Sequence, residues 1–180
     1  MAIKNLWSLN VDELLVADEL KQYFAKDHYE ILFPLNAQMK DVDLVLFELK
    51  KNKATSIQVK GSRTYTLRKS EIRELGDGSS ALFRIAKKSI FTSQNKVDYF
   101  VFVLHHFKDG ELKKRIEVDH LVIPIDDLKG VCKKKILRKG GYYFFTIWLS
   151  SDGKKIRDFN NPKFHTISLS KYLNNWKLLR

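Results

Sequence analysis

Apolar positions in this chain fall into short blocks whose spacing changes between the helical and the extended period. Asn10 precedes a stretch in which Val16, Ala17, Leu20 and Phe24 recur three, four, seven and eleven residues after Glu13, one face of a helix expected over residues 11–26. Residues 29–35 then read as a strand stopped by Pro34. Residues 41–47 and 56–61 are β-type runs separated by a polar, lysine-rich break, so they predict an antiparallel hairpin. Residues 97–104 form a nearly continuous apolar run, the pattern of a strand buried on both faces beside that hairpin. A short strand ends at Pro124, and Asp126-Asp127 enters a turn or helix. Gly140-Gly141 opens an aromatic strand over 142–149, expected to pack in the core, with its turn at Ser151-Asp152-Gly153. Residues 168–179 read as a short amphipathic helix. Strands mixed with amphipathic helices place the chain in the α/β class.

The hairpin carries the candidate chemistry. With a pivot near Lys50 and Lys51, Asp43 falls opposite Gln58 and Asp41 opposite Lys60. Opposed residues, and residues two apart on one strand, share a face, so carboxylate, amide oxygen and ammonium converge. Oxygen ligands suit a hard divalent cation, and a lysine beside it can serve an attacking water. Glu48-Leu49-Lys50 also spells acid-x-Lys, but only five residues after Asp43 it belongs to the hairpin tip.

Asp43 followed across a hairpin by Gln58-Val59-Lys60 resembles the PD-(D/E)xK nuclease superfamily in its Gln-x-Lys form, as in some homing endonucleases and resolvase-like enzymes. The resemblance covers residues 8–105 and departs from the pattern in two places. Val42 stands where the motif has proline, and Gln58 replaces an acid. It implies a restriction-endonuclease-like core, a central mixed sheet flanked by helices over about residues 8–125, with a C-terminal strand and helix extension over about 126–180 of a single domain. It implies Mg²⁺ or Mn²⁺ held by Asp43, Gln58 and the Val59 carbonyl, with Lys60 serving the nucleophilic water. Glu13 resembles the glutamate that the superfamily places on the preceding helix; its position also suits a capping residue paired with Asn10. The activity so implied is a metal-dependent DNA endonuclease, and the alternative is a non-catalytic nucleic-acid-binding protein on the same fold.

Charge points to the same kind of partner. The 180 residues contain 33 Lys and Arg against 21 Asp and Glu, a net charge of +12, the balance of a protein that meets a polyanion. Phosphate contacts are expected from Ser62, Arg63, Arg68, Lys69, Arg84 and Lys87 past the hairpin, and from Lys133, Lys134 and Lys135. No apolar run approaches a membrane span, and Met1 to Asn5 lack the apolar stretch of a signal peptide. The single Cys132 excludes a disulfide within the chain, which fits the cytoplasm. The five histidines have no zinc-ligand spacing. One site per chain implies a homodimer or higher assembly for cutting both strands of a duplex.

Overall fold

The computed structural model describes residues 10–24, 28–34, 41–92, 97–109, 114–160 and 165–180. The expected end of the first helix at Lys26, the loop over 35–40 and the N-terminal residues lie outside these. The chain is mixed α/β, with a nine-stranded sheet and a few helices. Helix α1 (Val11–Tyr23) starts at Asn10, whose side chain accepts from the Asp12 amide, and buries Glu13, Val16 and Leu20 along its inward stripe. Strands β1 (Tyr29–Leu32), β2 (Leu44–Glu48) and β3 (Lys53–Thr66) form an antiparallel meander. Its second turn contains Lys50 and Lys51 and is closed by Asn52 at φ 50°, a left-handed position that asparagine tolerates. Glu48 there pairs with Lys51 at 2.9 Å, so Glu48-Leu49-Lys50 is a hairpin tip.

Beyond β3 come helix α2 (Lys69–Leu75), strand β4 (Gly78–Ala86) and the short helix α3 (Lys88–Phe91). Strand β5 (Tyr99–Asp109) then returns parallel to β3, with Gln58 beside Phe100 and Lys60 beside Phe102. This is the apolar run expected at the centre. Strand β6 (Lys114–Pro124) is longer than the expected short strand and pairs antiparallel with β5. Helix α4 (Ile125–Lys133) leads to strands β7 (Tyr142–Ser150), β8 (Ile156–Asn160) and β9 (His165–Ser168). These three join the sheet through β4.

Strand β3 is therefore shared: its first part pairs with β2 and β5, and its last residues with β4. One apolar cluster lies under α1, with Val16, Leu20 and Phe24 against Leu44, Ile57, Val59, Val101 and Val103. The other fills the opposite face, where Phe100, Phe102 and Leu104 meet Phe83, Ile85, Phe145 and Ile147 from β4 and β7. That second core draws residues from both sides of the expected boundary at 125, so the C-terminal strands complete the core rather than extend it.

Two expectations need correction. The expected helix over 168–179 is instead two 3₁₀ turns, Ser170–Tyr172 and Trp176–Leu179. Asn174 between them has φ 48°, which interrupts an α-helix, and its amide donates to the His120 carbonyl. Trp176 and Leu179 nevertheless bury into the cluster under α1. Strand β7, expected to pack in the core along its length, buries Tyr143, Phe145 and Ile147, and Trp148 and Leu149 near its end, but leaves Tyr142, Phe144 and Thr146 half-buried. No helix among the described residues is long and apolar enough to cross a membrane.

Candidate functional site

The ladder between β2 and β3 pairs Leu44 with Ile57, the register that puts Asp43 at the level of Gln58. There it breaks. The Asp43 amide also donates to the Ile57 carbonyl, at 2.9 Å, so two residues of one strand face one of the other, as in a β-bulge. The bulge explains why Val42 packs in one core and Leu44, two residues on, in the other. Strand β3 continues past this point without β2, leaving a fork between the two strands. The Val59 amide, which an ideal ladder would give to β2, donates at 2.8 Å to Asp43 Oδ2. In a strand the N–H and C=O of one residue point to the same side, so the Val59 carbonyl also opens into the fork.

Ile57 and Val59 face α1, and by alternation Gln58 and Lys60 face the other way. Gln58 is 3% exposed, and its Oε1 is fully buried with no hydrogen-bond partner among the described residues. Leaving such an oxygen unpaired costs about 1–3 kcal/mol, so it marks a place where a ligand would be welcome. Lys60 is half-buried and has no ion pair among the described residues. Asp41 does not stay opposite Lys60: beyond the bulge it turns to α3, where its Oδ1 accepts from Ser89 Oγ at 3.3 Å.

Glu13 reaches this region from the other side. It is buried in the first turn of α1, on the face of the sheet away from Gln58 and Lys60, and it is not without a partner. Its neighbour Asp12 lies against Gly61. A Cβ on Gly61 would fall 1.8 Å from Asp12 Oδ2, so the glycine after Gln58-Val59-Lys60 makes room for that carboxylate. Asp12 Oδ1 in turn meets His105 Nε2 at 2.5 Å. Among the described residues no group of three or more His, Cys, Asp or Glu side chains could hold a metal ion. The donor set that remains is the second oxygen of Asp43, the buried amide oxygen of Gln58 and the Val59 carbonyl, all hard oxygen donors that suit Mg²⁺ or Mn²⁺.

The basic residues divide. Arg63, Arg68, Lys69, Arg84, Lys87, Lys133 and Lys134 are exposed, and Ser62 is half-buried with its hydroxyl on the Arg63 carbonyl. Lys135 is a correction. Its side chain is 1% exposed and paired with Asp158, itself 0% exposed, while its ammonium lies 4.3 Å over the Phe145 ring. Burial holds its amine below the ordinary lysine range despite Asp158, and raises Asp158 despite Lys135. A buried carboxylate on β8 needs a cation, and Lys135 is spent on it.

One polar group was not anticipated. Adjacent histidines on β5 point to opposite faces: His105 goes to Asp12, and His106 is buried with Nδ1 3.2 Å from Ser79 Oγ and Nε2 3.2 Å from Asp119 Oδ2. The second contact is close but not aligned as a hydrogen bond. His106 and then Asn174 hold the Asp119 carboxyl below its ordinary range. Ser79 is on β4, so the group ties the two parts of the sheet together. Its signal in the sequence is only the pair His105-His106, whose partners lie far along the chain. Burial pushes the Cys132 thiol up to about 12, which leaves it inert.

No family model, curated protein or solved structure matches this chain.

Proposed function

We propose that the protein is a metal-dependent DNA endonuclease whose site is the fork between β2 and β3. The observation that carries this reading is the buried Oε1 of Gln58, without a hydrogen-bond partner among the described residues and one residue along β3 from the amide that fixes the Asp43 carboxylate. Two features support it: α1 preceding the β2–β3 hairpin with β5 parallel beside it in a mixed sheet, in keeping with the layout that the resemblance implies, and the net charge of +12. A divalent cation bound by Asp43, Gln58 and the Val59 carbonyl would offset phosphate charge and ease deprotonation of water. The Val59 amide holds Asp43 in one orientation, so little side-chain freedom is lost on binding. Lys60, with no acidic partner among the described residues, would donate hydrogen bonds to the attacking water or to the phosphoryl oxygens as charge builds. Cutting both strands of a duplex would use two copies of the chain.

The neutral Gln58 favours a second reading, a nucleic-acid-binding protein without hydrolysis. Plasmid nicking and thermal shift, each titrated with Mg²⁺ and reversed by chelator, separate the two. Asp43→Asn keeps the acceptor for the Val59 amide but removes the charge, so it should fold and fail to cut, as should Lys60→Ala. Gln58→Glu should lower the Mg²⁺ midpoint with similar or reduced maximal rate. Gln58→Leu should be as stable as the wild type without metal and lose the metal-induced shift. A wild type with neither nicking nor a Mg²⁺-dependent shift would refute the nuclease reading.

A further inference from the structure

Helix α3 separates the fork from a second concavity. On one side its Ser89 holds Asp41, just before the bulge. On the other lies a cleft of about 440 Å³ walled by Lys87, Lys88, Phe91, Gly140, Gly141 and Tyr142. The cleft is built rather than incidental. The Lys87 amide donates to the Gly141 carbonyl at 2.8 Å, which pins the glycine turn to α3. Gly140 and Gly141 have φ of 89° and 76°, values that other residues rarely adopt, and they turn the chain so that Tyr142 enters β7 at the rim. Arg84 lies 4.5 Å over the Tyr142 ring, and Lys87 and Lys88 have no acidic partner among the described residues.

The outer face of β4 and β7 continues from this cleft. Cross-strand pairing sets Ala86 beside Tyr142, Arg84 beside Phe144 and Leu82 beside Thr146, while the alternate residues Phe83, Ile85, Tyr143 and Phe145 fill the core. Leu82 is 51% exposed, and Tyr142 and Phe144 are half-buried. The result is a strip that sets Arg84 among Leu82, Tyr142 and Phe144 on paired strands. Aromatic rings and guanidinium planes receive unstacked bases, whereas a duplex presents its bases edge-on and already stacked.

We infer that this cleft and strip hold an unpaired segment of a nucleic-acid strand, with a base against the Tyr142–Arg84 pair and phosphates on Lys87 and Lys88. The inference rests on the nuclease reading for its substrate class. Because α3 forms one wall of the cleft and its Ser89 contacts Asp41, two residues before Asp43, a strand held here leads toward the fork and is the one presented for cutting. The preferred substrate then carries unpaired nucleotides next to the scissile bond, as at a flap, a junction or a single-stranded tail.

The test is fluorescence anisotropy in chelator, with a short labelled single strand and the matching duplex. The wild type should prefer the single strand. Tyr142→Ala should weaken single-strand binding at least about fivefold and duplex binding much less, with Tyr142→Phe close to wild type. Replacing Lys87 and Lys88 with alanine should lower the single-strand salt slope by about 0.7 for each lost phosphate contact. Tyr142→Ala that binds the single strand like the wild type, or loses both ligands equally, would overturn the inference. So would a mononucleotide that competes as well as the oligonucleotide. Plasmid nicking separates the two readings: nicking with no single-strand preference removes the cleft alone, and a Tyr142-dependent preference without nicking supports the cleft and removes the nuclease.

Discussion

Replacing Lys135 with methionine tests whether its charge serves the core or a partner. Methionine keeps most of the volume and removes the cation that faces Asp158, in a place where the two side chains are 1% and 0% exposed. Asp158 keeps one acceptor role, to the Thr146 amide at 3.0 Å, but loses its counter-ion. Breaking one side of a buried pair costs about 3–5 kcal/mol, because an uncompensated charge is left behind. At about 2–4 °C per kcal/mol for a chain of this size, that is a fall in Tm of roughly 6–20 °C. The deficit should depend on pH. Burial already raises the Asp158 carboxyl, and without Lys135 nothing but the Thr146 amide holds it down. A carboxyl raised in the folded state penalises folding above its folded pKa, and the penalty fades as pH falls and the group protonates. Lys135→Met should therefore come closer to the wild type under acid than at neutral pH. Adding Asp158→Asn, which keeps the acceptor for Thr146, should recover at least half of the loss at neutral pH. Urea melts of the three proteins across pH measure this, and nucleic-acid affinity should not change while they are folded. A single variant within about 1 kcal/mol of the wild type at neutral pH would mean that the pair behaves as a solvated one, and would return Lys135 to the phosphate contacts.

Two other perturbations follow from buried polar groups. His120, whose pKa burial lowers to about 4, is folded in its neutral form, so its contribution is complete above the unfolded value of 6.5 and is lost as pH falls from there toward 4. That amounts to about 3 kcal/mol, and urea melts at the two ends of this window should show His120→Leu losing less than the wild type; parallel losses would refute it. Gly61→Ala should displace Asp12 from His105 and cost about 1–3 kcal/mol, but add little in an Asp12→Ala background. An equal cost in both backgrounds, read by chemical denaturation, would place the strain elsewhere.

The hairpin was legible because its information is local. A polar break of fixed length between two β-type runs sets the pivot, and the pivot sets the register that pairs Leu44 with Ile57. The apolar run over 97–104 was legible for a similar reason, since only a central strand can be apolar on both faces. What the sequence withheld is long-range. Nothing near Asp41 announces that a bulge will turn it to Ser89, and nothing near Lys135 announces Asp158, twenty-three residues on, at the bottom of the core. Lys133, Lys134 and Lys135 read alike as a basic run, but α4 ends at Lys133 and the turn that follows carries the third of them inward. Glu13 shows the same limit: helical spacing put it on the inward stripe, as found, but not on which face of β3 that stripe would lie.

The sharing of β3 has a consequence for how the chain reaches this structure. Its pairing with β2 closes a turn of a few residues and can form within microseconds, whereas its pairing with β5 must wait for Lys60 to find Phe102 across an intervening segment that contains α2, β4 and α3. Strand β4 in turn gains its second neighbour only when β7 has been made. A nascent chain that has left the ribosome as far as α4 thus carries an open strand edge and half of an aromatic core, the combination that invites pairing with the wrong partner. Chaperone demand should therefore fall once β7 has been released.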